Sequence, residues 1–269
     1  MGNQPPITAI AIGLVGLVVF FGLPLAGLLW RAPWSDITSV LRDHAAREAL
    51  RLSLICSLSA AVLSVLFGIP IAWVLARGRM AGLNVIRAVA MLPLVLPPVV
   101  GGIALFYAFG RRGLIGQWLD RWLGIRLPFT MWAAIIAETF VAMPFFVITV
   151  EGALRGLDTR YEEAAATYGA GPWTILRRVT LPIIAPSIGA GMALTWARAL
   201  GEFGATITFA GNFPGKTQTL PLAIYLAFEN NNPAGIILSI LLLTISILVL
   251  VLVGSRVFGP RPRLRAAPG

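Results

Sequence analysis

"TRYEEAAATYGAGPWTILRRVTLP", residues 159–182, is the most structured polar stretch of the chain. Thr159 followed three residues later by Glu162 has the spacing of a capping box at a helix start. The alanine-rich run from Tyr161 to Tyr168 suits a helix, and Gly169 is placed to end it. Gly171 then turns the chain, and Pro172 suits the first position of a second helix over Trp173 to Val179. The stretch therefore predicts a helix, a glycine turn and a second helix that leads through Leu181 and Pro182 into an apolar run. Ala164, Ala165 and Ala166 remove side-chain bulk, so another surface can approach the backbone closely. With Glu162 occupied in capping, Glu163 is left to pair with a basic partner. The alternative, an amphipathic helix lying on lipid headgroups, needs a large apolar face that the first helix lacks.

Outward from this loop the chain is apolar. Of 269 residues, 58% are hydrophobic and 12% charged, and the mean hydropathy is +0.85. A soluble domain needs more polar surface than that to cover itself, so lipid must receive many of these side chains. A membrane helix takes about 20 mostly apolar residues. Four intervals are free of charge, at 7–30, 52–76, 88–110 and 230–255. Two more carry charges: 127–150 contains Glu138, and 183–210 contains Arg198 and Glu202. The reading is an all-α membrane protein, a single transmembrane domain over 1–269 with about six spans and a loop at 151–182. The first span is read as retained, because it lacks the basic start, short length and cleavage site of a signal peptide.

The formal charge of +10 belongs with membrane flanks and anionic headgroups, so no nucleic-acid partner is expected. An even number of spans puts both termini on one side. With the termini inside, the cytoplasmic segments hold eleven Lys and Arg and the outer segments nine, a small margin for that orientation. Cys56 is the single cysteine, which excludes an intrachain disulfide and says nothing of redox compartment. No catalytic site, cofactor or metal is predicted. There is no H-E-x-x-H or G-x-S-x-G pattern, and His44 reads as a surface residue beside Asp43. "GNFPGKT" at 211–217 has one residue too few between its glycines for a phosphate loop and follows a span, so it reads as a turn.

Three features inside the spans concern function. "LPLVLPP" at 92–98, followed by Gly101 and Gly102, frees backbone carbonyls. It marks either a plain kink or a path facing protein or water. Arg198 and Glu202 are four apart and share a helical face. A charge there costs about 2.5 to 3.5 kcal/mol on insertion scales, so the pair faces the bundle interior, as a gate or translocation path or as a structural ion pair. Ala197, Gly201 and Ala205 form a small-residue stripe suited to close helix packing. Glu138 is a lone acid, either protonated or held by a backbone donor.

Glu163, Ala164 and Ala165, then Gly169, then Leu181 and Pro182 reproduce the spacing of the cytoplasmic loop of permease subunits of ABC importers, which the chain resembles from about 49 to 253. The resemblance implies a type I importer permease fold and a coupling helix seated in an ATP-binding cassette ATPase subunit. It places the loop in the cytoplasm and the protein in the cytoplasmic (inner) membrane. It also implies a homodimer and an extracytoplasmic oxyanion-binding protein. "ALGEFGATITFAGNFPGKTQTLPLAIYLAFE" at 199–229 resembles the molybdate and tungstate permeases. Sulfate permeases share "GEFGA", so a sulfate or thiosulfate permease stays as an alternative. An ion-coupled secondary transporter using Glu138, Arg198 and Glu202 is the remaining rival, although no inverted repeat is visible.

Overall fold

The computed structural model describes residues 6–257; the termini beyond them, with Arg261, Arg263 and Arg265 of the charge count, lie outside the described residues. Among the described residues the chain is helical and has no strand. The long elements are α1 (Ile7–Trp30), α3 (His44–Arg77), α7 (Met131–Gly156) and α9 (Pro172–Leu200), each long and apolar enough to cross a membrane. Between and after them lie α2 (Ile37–Arg42), α4 (Leu83–Val95), α5 (Pro98–Phe109), α6 (Gly116–Leu123), α8 (Arg160–Thr167), α10 (Gly204–Phe209), α11 (Leu220–Glu229) and α12 (Ala234–Val257).

The centre of the bundle is α3 against α7, with α9 packed on both. Asp43 starts α3 by accepting the Ala46 N–H at 3.1 Å, a side-chain cap for an otherwise orphaned donor. The buried face of α3 is a stripe of small residues: Ser53, Ser57, Ala60, Ala61, Ser64, Gly68 and Ala72. Burial of apolar surface does little between helices in lipid, so close packing has to hold them together. Gly68 shows how close: a Cβ there would stand 2.5 Å from the Phe146 ring of α7. Opposite this stripe, α7 buries Ala142, Phe146, Val147, Val150 and Leu154. No residue of α1 is buried.

Two of the apolar runs are not continuous helices. In the run at 88–110, α4 stops at Val95, Leu96 is extended, and Pro98 opens α5. The residue before a proline is pushed out of the α region, and a proline at the first helical position has no N–H to lose. In the run at 183–210, α9 ends at Leu200 and α10 begins at Gly204. Ala197, Gly201 and Ala205 thus fall on two helices and not on one, because Gly201 and the side chain of Glu202 close the first and start the second. Ala205 instead takes part in the approach of α10 to α5, where a Cβ on Gly102 would meet the Ala205 carbonyl at 2.7 Å. The second helix of the 159–182 loop is the first part of α9, joined through a π-turn at Leu176–Thr180.

Candidate functional site

The loop turns Ala164 and Ala166 outward and half-buries Ala165. Glu163, Ala164 and Ala166 of α8 are exposed. Tyr161, Tyr168 and Trp173 present large rings to the same surroundings at 58%, 93% and 68% exposure. Gly169 has φ +81°, a left-handed conformation that side chains resist. There the amides of Gly169 and Ala170 close the helix on the Ala166 and Ala165 carbonyls. Leu181 packs against the core cluster that holds Leu75 and Leu154, while Pro182 is exposed.

The expected capping box does not form. Thr159 makes no side-chain cap, and Glu162 turns away from the helix start. One of its oxygens accepts the Thr180 hydroxyl at 2.9 Å, and the other lies 3.2 Å from Nε of Arg77. A guanidinium and a hydroxyl together outbid a single backbone amide, since hydrogen bonds to ionised partners are the stronger ones. Glu162 therefore joins α8 to the end of α3 and the start of α9. Glu163 is exposed and, among the described residues, forms no ion pair.

Sequence reasoning missed a second cluster at this end. Glu151, 7% exposed, takes Arg87 at 2.7 Å and Arg155 at 2.9 Å. Both arginines also reach the Leu75 carbonyl, at 3.3 and 3.4 Å. The ends of α3, α4 and α7 are pinned together there. Only Glu151 and Arg155, four apart on one helix, were adjacent by sequence spacing.

Within the bundle, Arg198 and Glu202 meet at 2.7 Å. Glu202 is also the start signal of α10, since its second oxygen accepts the Ala205 N–H at 2.9 Å. Glu138, on α7, is 1% exposed and has one carboxyl oxygen without a partner. Ala137 and Val141, beside it on α7, pack in one core cluster with Ala205 of α10 and with Cys56. The hydroxyls of Thr195 and Thr206 are likewise buried without partners. The three charged groups named from sequence thus gather around the break between α9 and α10.

The other sequence candidates are structural. Residues 211–217 form a turn in which the amides of Lys216, Thr217 and Gln218 converge on the Phe213 carbonyl. Gly211 and Gly215 there have φ +74° and +71°. His44 is exposed, 3.8 Å from Glu48. No group of three or more metal-ligating side chains occurs among the described residues.

A family model of binding-protein-dependent transport system inner membrane components matches residues 64–264. The chain belongs to that family. The permease is 46% identical over 239 residues to the molybdenum transport system permease protein of Mycobacterium bovis, covering 89% of this chain and 90% of the relative. It is 43% identical over 209 residues to the corresponding protein of Escherichia coli, covering 75% and 90%. A sulfate transport system permease protein of E. coli is 34% identical over 232 residues, covering 85% and 83%. Among solved structures, the fold is similar to a bacterial ABC transporter involved in import of the polysaccharide alginate. There the TM-score is 0.70 at 17% identity, with 92% of this chain and 93% of that one covered. The methionine transporter MetNI follows with a TM-score of 0.56 at 20% identity, covering 78% and 95%. The permease is a multi-pass membrane transport subunit with the type I ABC importer fold.

Proposed function

We propose that the permease carries molybdate, tungstate or both across the cytoplasmic membrane, by alternating access driven by a separate ATP-binding cassette ATPase. The observation that carries the substrate is the 46% identity with a molybdenum permease along 89% of the chain. The sulfate permease at 34% supports sulfate as a second reading. All three are tetrahedral dianions that a pore separates poorly, which leaves most of the choice to an extracytoplasmic binding protein. The chain crosses the membrane six times, with both termini and the 151–182 loop in the cytoplasm, and works as a homodimer.

In this reading Glu163, Ala164, Ala165 and Gly169 form the face seated in the ATPase, and Leu181 with Pro182 carries the loop into α9. Glu162 is the tie that passes motion of α8 to α3 and α9 through Arg77 and Thr180. Arg198, Glu202 and Glu138 surround a gate, since a break between two helices can change angle without unwinding either. The experiment is to purify the permease with its ATPase and binding protein and measure ATP hydrolysis with molybdate, tungstate and sulfate. Stimulation by molybdate or tungstate is expected; stimulation by sulfate alone selects the second reading, and indifference to all three sinks both.

A further inference from the structure

α6 holds none of the residues assigned above to coupling or to the gate. Its start is clamped to the end of α5: Leu114 and Ile115 donate their amides to the carbonyls of Tyr107 and Ala108 at 3.1 and 2.8 Å. Gly116 lies so close to the last residues of α5 that a Cβ would meet the Phe109 carbonyl at 2.3 Å. α6 therefore cannot lift away from the level at which α5 ends. Arg111 and Arg126 hold Asp120 from either side at 2.9 and 2.8 Å, and Gly124 at φ +66° ends the helix.

The helix has two unlike faces. Ile115, Trp118, Leu119 and Trp122 recur at spacings of three and four and share one face. Trp118 and Trp122 are 43% and 75% exposed, and the flanking Leu114 and Leu123 are 78% and 65% exposed. Gln117, Asp120 and Arg121 occupy the other side. The two indoles pack at 5.2 Å, and the Arg121 guanidinium lies 5.4 Å from the Trp118 ring centre. Four arginines between 110 and 126 stand against one acid, Asp120, a net +3. Tryptophan at one face with arginine at the other is the composition of helices that lie in the plane of the headgroups.

We propose that α6 is an interfacial anchor, its Trp118–Trp122 face sunk into the headgroup–acyl boundary and its arginines set on anionic phospholipid headgroups. Anionic lipid complements the surplus positive charge, and each indole removes about 150–250 Å² from water when covered. An anchor here fixes the end of α5 to the membrane surface, so that bending at Leu96 and Pro97 displaces α4 and leaves α5 in place.

The test places a nitroxide on Cys introduced by Trp122→Cys or Gln117→Cys, in a Cys56→Ser background. The assembled permease is studied in nanodiscs of mixed zwitterionic and anionic phospholipid. The 122 label should be open to oxygen and shielded from a water-soluble nickel chelate, and the 117 label the reverse. Equal chelate access at both sites overturns the proposal by placing the face in water. Closure of site 122 to both reagents overturns it by placing protein there, a second copy or a bound partner. Removing the anionic lipid should raise chelate access at 122 severalfold; no change refutes the headgroup contact. Should the labelled chains fail to insert, quenching by brominated lipid decides. The Trp118→Phe, Trp122→Phe chain should lose part of the quenchable emission, and an unchanged quenched emission overturns the anchor. None of these readouts depends on which substrate is carried.

Discussion

Glu162 and Glu202 hold the same kinds of partner, one arginine and one further donor, but draw them from different places: the arginines are similarly exposed, at 24% for Arg77 and 30% for Arg198. Glu202 pairs with Arg198 on the preceding helical turn and with a backbone amide three residues on, and its side chain is 2% exposed. Glu162 pairs with Arg77 and Thr180, both remote in sequence, and side-chain exposure is 18% for the acid and 24% for the arginine. The buried pair is local, so it shapes one stretch of chain. The Glu162 pair is long-range, so it joins three elements that have no covalent reason to move together.

Removing Glu202 should have the largest effect. Glu202→Ala removes the partner of Arg198, whose side chain is 30% exposed, and uncaps α10, together a cost of about 2.5–4 kcal/mol. Thermal unfolding in nanodiscs should show a deeply lowered midpoint. The Arg198→Met, Glu202→Met double variant should recover part of the stability, the α10 cap staying lost, without recovering uptake. A double variant with normal uptake would refute the gate. Next comes Glu151→Ala, which should cost about 1.5–3 kcal/mol, the range for hydrogen bonds to charged groups, read from the same unfolding curves. Gly169→Val comes third, since a β-branched residue at positive φ costs about 1–2 kcal/mol; stimulated ATP hydrolysis should fall with it.

The two smallest effects on stability sharpen the comparison most. Glu162→Gln keeps a hydrogen-bonding amide and should cost about 0.5–1.5 kcal/mol, yet reduce oxyanion-stimulated ATP hydrolysis about fivefold or more, within the usual range of coupling between sites. Retained coupling in that variant would mean that the tie to Arg77 transmits nothing. Glu163→Ala should leave the unfolding midpoint within about 0.5 kcal/mol of its original value, as surface changes do. It should still weaken stimulation; unaltered stimulation removes Glu163 from the ATPase contact.

Local signals in the chain were readable and distant ones were not. The alanine-rich helix and its Gly169 stop follow from neighbours in sequence, and α8 with Gly169 at φ +81° forms there. Glu162 reads as a capping residue because Thr159 is three residues away, whereas its partner Arg77 lies on another helix. The Arg87–Glu151–Arg155 cluster escaped notice for the same reason. The break after Leu200 was hidden because apolar residues continue on both sides, so hydropathy saw one span where a buried carboxylate starts a new helix. Only at 92–98 did composition announce an interruption, since three prolines in seven residues cannot all be helix interior.

That interruption also bears on how fast the molecule can move. Pro97 and Pro98 have no N–H to give to the carbonyls of Pro93 and Leu94, the acceptors an unbroken helix would use. Swinging α4 against α5 ruptures no backbone hydrogen bond at those two positions. The step should therefore carry a small activation enthalpy, and its rate should vary little with temperature compared with ATP hydrolysis itself.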